Sequence, residues 1–169
     1  MTDPRPTALL ILDLDGTVRH GRDELGRYVN GPDDVVIFPA AIEKMRAWKA
    51  DGGRIIGASN QGGVALGIIT HRDAQAAIDR THALTDRLFD HLAFCPHHPQ
   101  ATQPFMARCW CRKPRPGLVI EAATMLRQRF PDEFYPPNLA VMVGDRLEDK
   151  GCADSIDIPF MWAEDWRAG

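Results

Sequence analysis

The residues able to do chemistry in this 169-residue chain fall in a few short segments. Asp13-Leu14-Asp15-Gly16-Thr17 sets two carboxylates two positions apart, directly after an apolar run. Ser59-Asn60-Gln61 offers a hydroxyl and two amides, and Lys113-Pro114 a cation. Gly144-Asp145-Arg146-Leu147-Glu148-Asp149 adds further carboxylates. A carboxylate can attack phosphorus, splitting one difficult hydrolysis into two easier steps. An anionic nucleophile that meets an anionic phosphate needs the repulsion cancelled. Carboxylates holding a hard divalent cation do this, helped by a fixed ammonium. Two neighbouring aspartates also allow one to attack while the other carries a proton. Each segment alone reads as an ordinary turn, but together they point to phosphoryl transfer.

A second pattern uses softer ligands. Cys95-Pro96-His97 and Cys109-Trp110-Cys111 form two close pairs separated by 11 residues. A Cys₃His set is closed, with no position left for water, which suits structural Zn²⁺ better than catalytic metal. The intervening stretch contains Pro99 and Pro104 among mostly polar residues. It has no core of its own to offset the entropy of ordering, so the metal would supply that order. The loop runs directly into Arg112 and Lys113, so zinc would hold the lysine in place. His98 reads as a bystander to the ligand set, and Cys152 as a small apolar residue buried on a helix.

The elements that must position these groups alternate. Residues 8–14, apolar but for Asp13, read as a strand buried on both faces with a chemically active C-terminal tip. Residues 39–50 carry Ile42, Met45 and Trp48 at helical spacing and stop at Gly52-Gly53. Strands are expected over 54–59, 92–95, 139–143 and 158–162. Helices are expected over 71–89, 116–130 and 146–155. The inner face of the second helix would present Ala74, Ala77, Ile78, His82, Leu88 and Phe89, and that of the third Leu118, Ala122, Met125 and Leu126. Such alternation implies an α/β fold with a parallel sheet and helices on both faces, where ligands bind beyond the carboxyl ends of the strands. Asp13, Ser59 and Asp145 all fall at such ends.

Composition narrows the function classes. The formal net charge of −3 gives no bulk attraction to nucleic acid or membrane, so an anionic substrate needs a local basic cluster. The N-terminal residues lack the apolar run of a signal peptide, and no segment is long enough to span a bilayer, so a cytoplasmic location is expected. Four cysteines in such a chain argue for metal rather than disulfides.

The phosphate-directed segments, in this order, resemble the motifs of the haloacid dehalogenase (HAD) superfamily of aspartate-nucleophile phosphohydrolases, over nearly the whole chain. The Cys/His pairs narrow the resemblance to its zinc-loop branch, which includes heptose bisphosphate and histidinol-phosphate phosphatases. The resemblance implies a Mg²⁺-dependent phosphomonoester hydrolase that forms an aspartyl-phosphate. Asp13 would be nucleophile and Mg²⁺ ligand. Asp15 would protonate the leaving alcohol and later activate water, with its backbone carbonyl on the metal. Asp145 would be the third protein ligand, and Asp149 would support the metal from outside. Thr17, Ser59 and Asn60 would serve phosphate binding, Thr17 also setting the turn, while Lys113 neutralises charge. Arg112 matches a substrate-contacting arginine, and Arg146 stands where the branch commonly carries lysine.

The resemblance also implies a Rossmann-like, capless core as a single domain over 1–169, with a flap at about 18–38 and a zinc loop at about 95–113. Only 41 residues separate Thr17 from Ser59 and 51 separate Gln61 from Lys113, too few for a cap domain. The site should therefore be open, with Arg19, His20, Arg22, Arg27 and Tyr28 as candidate substrate contacts from the flap. The expected substrate is a small phosphorylated metabolite, a sugar phosphate or bisphosphate first. Leu14, where the named phosphatases usually carry arginine, and the unlike C-terminal run 158–163 leave its identity open. One alternative is a nucleic-acid 3′-phosphatase, whose relatives share Asp-Leu-Asp-Gly-Thr. Net acidity and only Phe105 and Trp110 as stacking aromatics near the basic cluster weigh against it. A non-catalytic zinc-stabilised module is the other, disfavoured by intact Asp13, Asp15, Lys113 and Asp145.

Overall fold

The computed structural model describes residues 4–22 and 28–169. In chain order the strands and helices are β1 (Arg5–Pro6), β2 (Leu9–Leu12), β3 (Arg19–His20), β4 (Val36–Ile37), α1 (Pro39–Ala50), β5 (Arg54–Asn60), α2 (His71–Leu84), β6 (His91–Cys95), α3 (Pro104–Ala107), α4 (Gly117–Arg129), β7 (Glu133–Phe134), β8 (Ala140–Gly144), α5 (Leu147–Ser155), β9 (Phe160–Trp162) and α6 (Ala163–Ala168). Five strands make one sheet in the order β6-β5-β2-β8-β9, with every pairing parallel. β2 lies at its centre, and all four of its residues are buried.

The pleat divides that central strand between two cores. Leu9 and Ile11 face a layer built from Leu118, Val119, Ala122 and Leu126 of α4 and Cys152 and Ala153 of α5. Leu10 and Leu12 face Ala41 and Met45 of α1, Ile78 of α2, and Ala163 and Trp166 of α6. Helices therefore cover both faces, as a fully parallel sheet requires. Cys152 is completely buried in the first layer.

Local chemistry explains the element ends. Pro39 opens α1, where its missing N–H costs nothing. The Thr70 hydroxyl caps α2 by accepting from the Asp73 amide at 3.0 Å. That helix ends at Leu84, five residues short of the expected 89, because Asp86 and Arg87 take left-handed conformations (φ 52° and 56°). Leu88 and Phe89 therefore lie outside it, although Phe89 is still buried, and Thr81 joins the inner face. Met125 of α4 is 45% exposed rather than inward, and Val119 is the buried neighbour of Leu118. The flap expected at about 18–38 contains β3 and β4, which pair antiparallel.

At the opposite end of the sheet from the motif aspartates, β1 and β7 pair in parallel around Glu133. Its carboxylate accepts from Arg54 Nε at 2.9 Å, Arg54 Nη2 at 2.8 Å and the Tyr135 hydroxyl at 3.2 Å. The hydrogen bond from Arg54 outweighs burial and holds the Glu133 carboxyl down at about 2. A depressed carboxyl stabilises the fold above its unfolded value near 4.5, and that stability is lost as pH falls toward 2. We predict that Glu133→Gln destabilises the protein by on the order of 2 kcal/mol at neutral pH. In urea denaturation the gap between wild type and variant should narrow at about pH 3, and a gap that stays constant would contradict this assignment.

Candidate active site

The parallel register delivers the catalytic candidates to one rim. Leu12 aligns with Gly57 on one side and Val143 on the other. Asp13 leaves β2 with its amide bonded to the Val143 carbonyl at 3.0 Å. Ser59 and Asn60 end the neighbouring β5, and Asp145 follows β8 on the other flank. Two glycines make the close packing possible. Gly16 has φ +85°, and a Cβ there would lie 2.2 Å from Asp145 Oδ2. A Cβ on Gly144 would lie 2.3 Å from the Asp149 side chain. Both positions exclude any larger residue while the carboxylates stay where they are.

Lys113 is the centre of this rim. It is 1% exposed, and its ammonium donates to Asp13 Oδ1 at 2.6 Å and to the Ala58 carbonyl at 2.6 Å, and pairs with Asp149 Oδ1 at 2.7 Å. Burial alone would lower its pKa, but the Asp13 and Asp149 carboxylates outweigh that and hold it above the ordinary lysine value. Asp149 also accepts from the Arg146 amide at 3.1 Å, capping α5, so both of its oxygens are engaged. Burial pushes the Asp13 carboxyl up to about 7 against the pull of Lys113, with Asp149 and Asp15 adding to the rise. Burial and then the Asp149 charge raise Asp145 too.

Oxygens of Asp13, Asp145 and Asp149 lie within 4.8 Å of one another. Three carboxylates against the Lys113 ammonium and the Arg146 guanidinium, 3.9 Å from Asp145 Oδ2, leave an excess of negative charge that a divalent cation would offset, and an all-oxygen donor set suits Mg²⁺. The second cluster has the softer chemistry. One ligand atom each from Cys95, His97, Cys109 and Cys111 falls within the same 4.8 Å span, with His97 Nδ1 3.4 Å from the Cys95 sulfur. A tetrahedral Zn²⁺ site uses this donor set. The Cys/His loop and the carboxylate rim are joined through Lys113: Asn60 Nδ2 donates to its carbonyl at 3.0 Å, and its amide donates to Asn60 Oδ1 at 3.0 Å.

The remaining residues singled out from sequence separate clearly. Ser59, Asn60, Arg112 and Arg146 line a cleft of about 420 Å³ beside Asp13, Asp15 and Lys113. Asn60 lines the cleft while one N–H of its amide and its Oδ1 clamp the Lys113 backbone. Thr17 is fully buried, 3.4 Å from Asp13 Oδ2, and is not part of the cleft wall. Arg112 donates to the His97 carbonyl at 2.9 Å, and the Arg146 guanidinium lies 5.2 Å from the Tyr28 ring.

Of the flap candidates, Tyr28 alone among the described residues reaches the cleft wall, and Arg27 lies outside the described residues. His20 packs on Phe38, with ring centroids 4.8 Å apart, and Arg22 donates to the Asp33 carbonyl at 2.7 Å within the flap. Arg19, expected as a substrate contact, is completely buried and turned away from the cleft toward Asp15 and α2. Its branch point is the short β3 strand, which the polar, Gly-rich sequence did not signal.

Two contacts to the motif loop had no expected role. Gln61 Nε2 donates to Asp15 Oδ2 at 2.6 Å and lies 2.8 Å from Ser59 Oγ, so its place beside Ser59 in the sequence was the available signal. Arg167 of α6 donates to the Gly16 and Thr17 carbonyls at 2.8 and 2.7 Å, across about 150 residues of chain, which no local pattern could reveal.

Known proteins resemble this chain in sequence and in fold. No family model matches the chain. The D-glycero-beta-D-manno-heptose-1,7-bisphosphate 7-phosphatase of Salmonella typhi is 32% identical over 155 residues, 88% of this chain and 76% of that protein. The Photorhabdus laumondii enzyme of the same name is 34% identical over 153 residues, 85% and 73% of the two chains. Among solved structures, the D,D-heptose 1,7-bisphosphate phosphatase from B. bronchiseptica, complexed with magnesium and phosphate, covers 91% of this chain and 79% of its own at 25% identity and TM-score 0.70. A HAD-like phosphatase from Mesorhizobium loti covers 94% and 72% at 24% identity and TM-score 0.77, a likeness of fold alone. With identity above 30% over most of both chains and the same α/β core, the chain belongs to the HAD superfamily of phosphatases, on the branch that resembles the heptose bisphosphate phosphatases.

Proposed function

We propose that this phosphatase hydrolyses a sugar bisphosphate through an aspartyl-phosphate on Asp13, in a single domain spanning 1–169. The observation that carries the mechanism is the 2.6 Å contact between the buried Lys113 ammonium and Asp13 Oδ1, beside the Asp145 and Asp149 carboxylates. Mg²⁺, held by Asp13, Asp145 and the Asp15 carbonyl with Asp149 behind them, would neutralise the phosphoryl oxygens. Ser59 Oγ donates to the phosphoryl group while Lys113 offsets the charge of nucleophile and transition state. Asp13 attacks phosphorus, and the phosphorus–oxygen bond to the leaving alcohol breaks as Asp15 gives that alkoxide its proton. Asp15, then a carboxylate, takes a proton from water, which attacks the same phosphorus and releases Asp13 and inorganic phosphate.

The substrate class rests on the named relatives and on the cleft wall. Arg112 and Arg146 line the cleft, and cations placed there suit a second anionic group on the substrate. Cys95, His97, Cys109 and Cys111 hold structural Zn²⁺ in this reading, keeping Arg112 and Lys113 at the rim.

Asp13→Asn should abolish phosphate release with Mg²⁺ while circular dichroism stays unchanged, and Asp15→Asn should cost roughly 10²- to 10⁴-fold. EDTA should remove activity, and Mg²⁺ alone should restore it so long as zinc stays bound. Near wild-type turnover by Asp13→Asn would contradict the covalent route.

Metal analysis should find about one zinc per chain. Cys109→Ala should lose activity far beyond its loss of stability, because a displacement of about 1 Å in a charged group can cost about 10²-fold. Comparison of rate and melting temperature with Lys113→Ala decides this, and normal catalysis by Cys109→Ala would show that Lys113 is positioned by something else.

A further inference from the structure

We propose that Arg19 is a positioning residue that fixes the Asp15 carboxylate against helix α2. The proposal rests on the proton-carrying role of Asp15 set out above and adds the group that aims it. Arg19 Nε donates to Asp15 Oδ1 at 2.9 Å, and Nη2 lies 3.4 Å from Oδ2. Nη1 donates to the Ala77 carbonyl at 3.0 Å and to Thr81 Oγ1 at 2.7 Å. The side chain is completely buried, so it touches no solvent and cannot reach the substrate.

Burying a guanidinium that cannot lose its proton is costly unless it is paired and its donors are satisfied. Asp15 is its ion-pair partner among the described residues. The planar fork grips both carboxylate oxygens, which fixes the tilt of the carboxylate as a single lysine point charge would not. On the other side, Gln61 Nε2 holds Oδ2 at 2.6 Å. Thr81 is anchored in turn, its hydroxyl donating to the Ala77 carbonyl at 2.7 Å, so the grip is mounted on a helix rather than on the flap. Proton transfer to a leaving alkoxide needs heavy atoms within about 2.6–3.2 Å, so an Asp15 carboxyl group free to rotate would deliver its proton poorly.

The test compares Arg19→Met, Arg19→Lys and Thr81→Val with Asp15→Asn on two monoesters. The first is an alkyl phosphate, whose leaving group must be protonated; the second is 2,4-dinitrophenyl phosphate, whose leaving group departs as a stable anion. The readout is kcat/KM, which covers the steps through departure of the leaving group. Asp15→Asn should lose roughly 10²- to 10⁴-fold on the alkyl ester and far less on the aryl ester. Arg19→Met should show the same split at about 10²-fold, Arg19→Lys should recover part of it, and Thr81→Val should repeat it at smaller size. Equal losses on both esters in Arg19→Met, with the split intact in Asp15→Asn, would overturn the role of Arg19. No split in Asp15→Asn would instead overturn the proton-carrying role of Asp15. If Arg19→Met does not fold, Thr81→Val decides, and equal losses or none there would overturn the proposal.

Discussion

The buried ammonium of Lys113 is the interaction on which the rim of the candidate active site depends. It sits among Asp13, Asp149 and the Ala58 carbonyl with all three donors engaged. A lysine withdrawn from water this completely is tolerable only because two carboxylates face it. The dependence runs both ways. Without Lys113, three clustered carboxylates would repel one another, and without the carboxylates the lysine would be an unpaired charge in the core. The cluster explains why Gly16 and Gly144 must be glycine: each Cβ would occupy space already taken by an aspartate of the set.

Holding Lys113 requires support from distant parts of the chain. Its backbone is clamped by the Asn60 amide at the end of β5, and its approach is shaped by the Cys/His loop that ends two residues earlier. The loop that carries Asp13 and Asp15 is secured from other directions, by Arg167 of α6 on the Gly16 and Thr17 carbonyls and by Arg19 on Asp15. The sheet supplies the frame, since three adjacent parallel strands deliver Ser59, Asp13 and Asp145 at or just past their ends. Rigid elements hold these groups, as a site that works by positioning requires.

The parts of this arrangement legible in sequence were those with local signatures. The buried run before Asp13, the strand ends and the paired Cys/His ligands each carry their chemistry within a few residues. What stayed hidden depended on partners far along the chain. Arg19 reads as a substrate contact from the flap until Thr81, 62 positions away, is seen to receive its guanidinium. Asn60 reads as a phosphate ligand, and its clamp on the Lys113 backbone, 53 positions away, has no local sign. The end of α2 was hidden for another reason. Asp86 and Arg87 adopt positive φ without glycine or proline to announce the break, so tertiary packing overrides local preference. Met125 kept helical spacing yet faces outward, because β-branched Val119, not Met125, fills the layer beneath α4.

The central claim is that Asp13 becomes covalently phosphorylated during turnover. An acyl phosphate is reduced by borohydride to an alcohol, which converts an aspartyl-phosphate into homoserine. Enzyme quenched during steady-state hydrolysis, treated with borohydride and mapped by peptide mass spectrometry reads this out directly. The account predicts homoserine at position 13, dependent on substrate and on divalent metal. Unmodified Asp13 in enzyme that is turning over, or homoserine at position 15 or 145 instead, would contradict it.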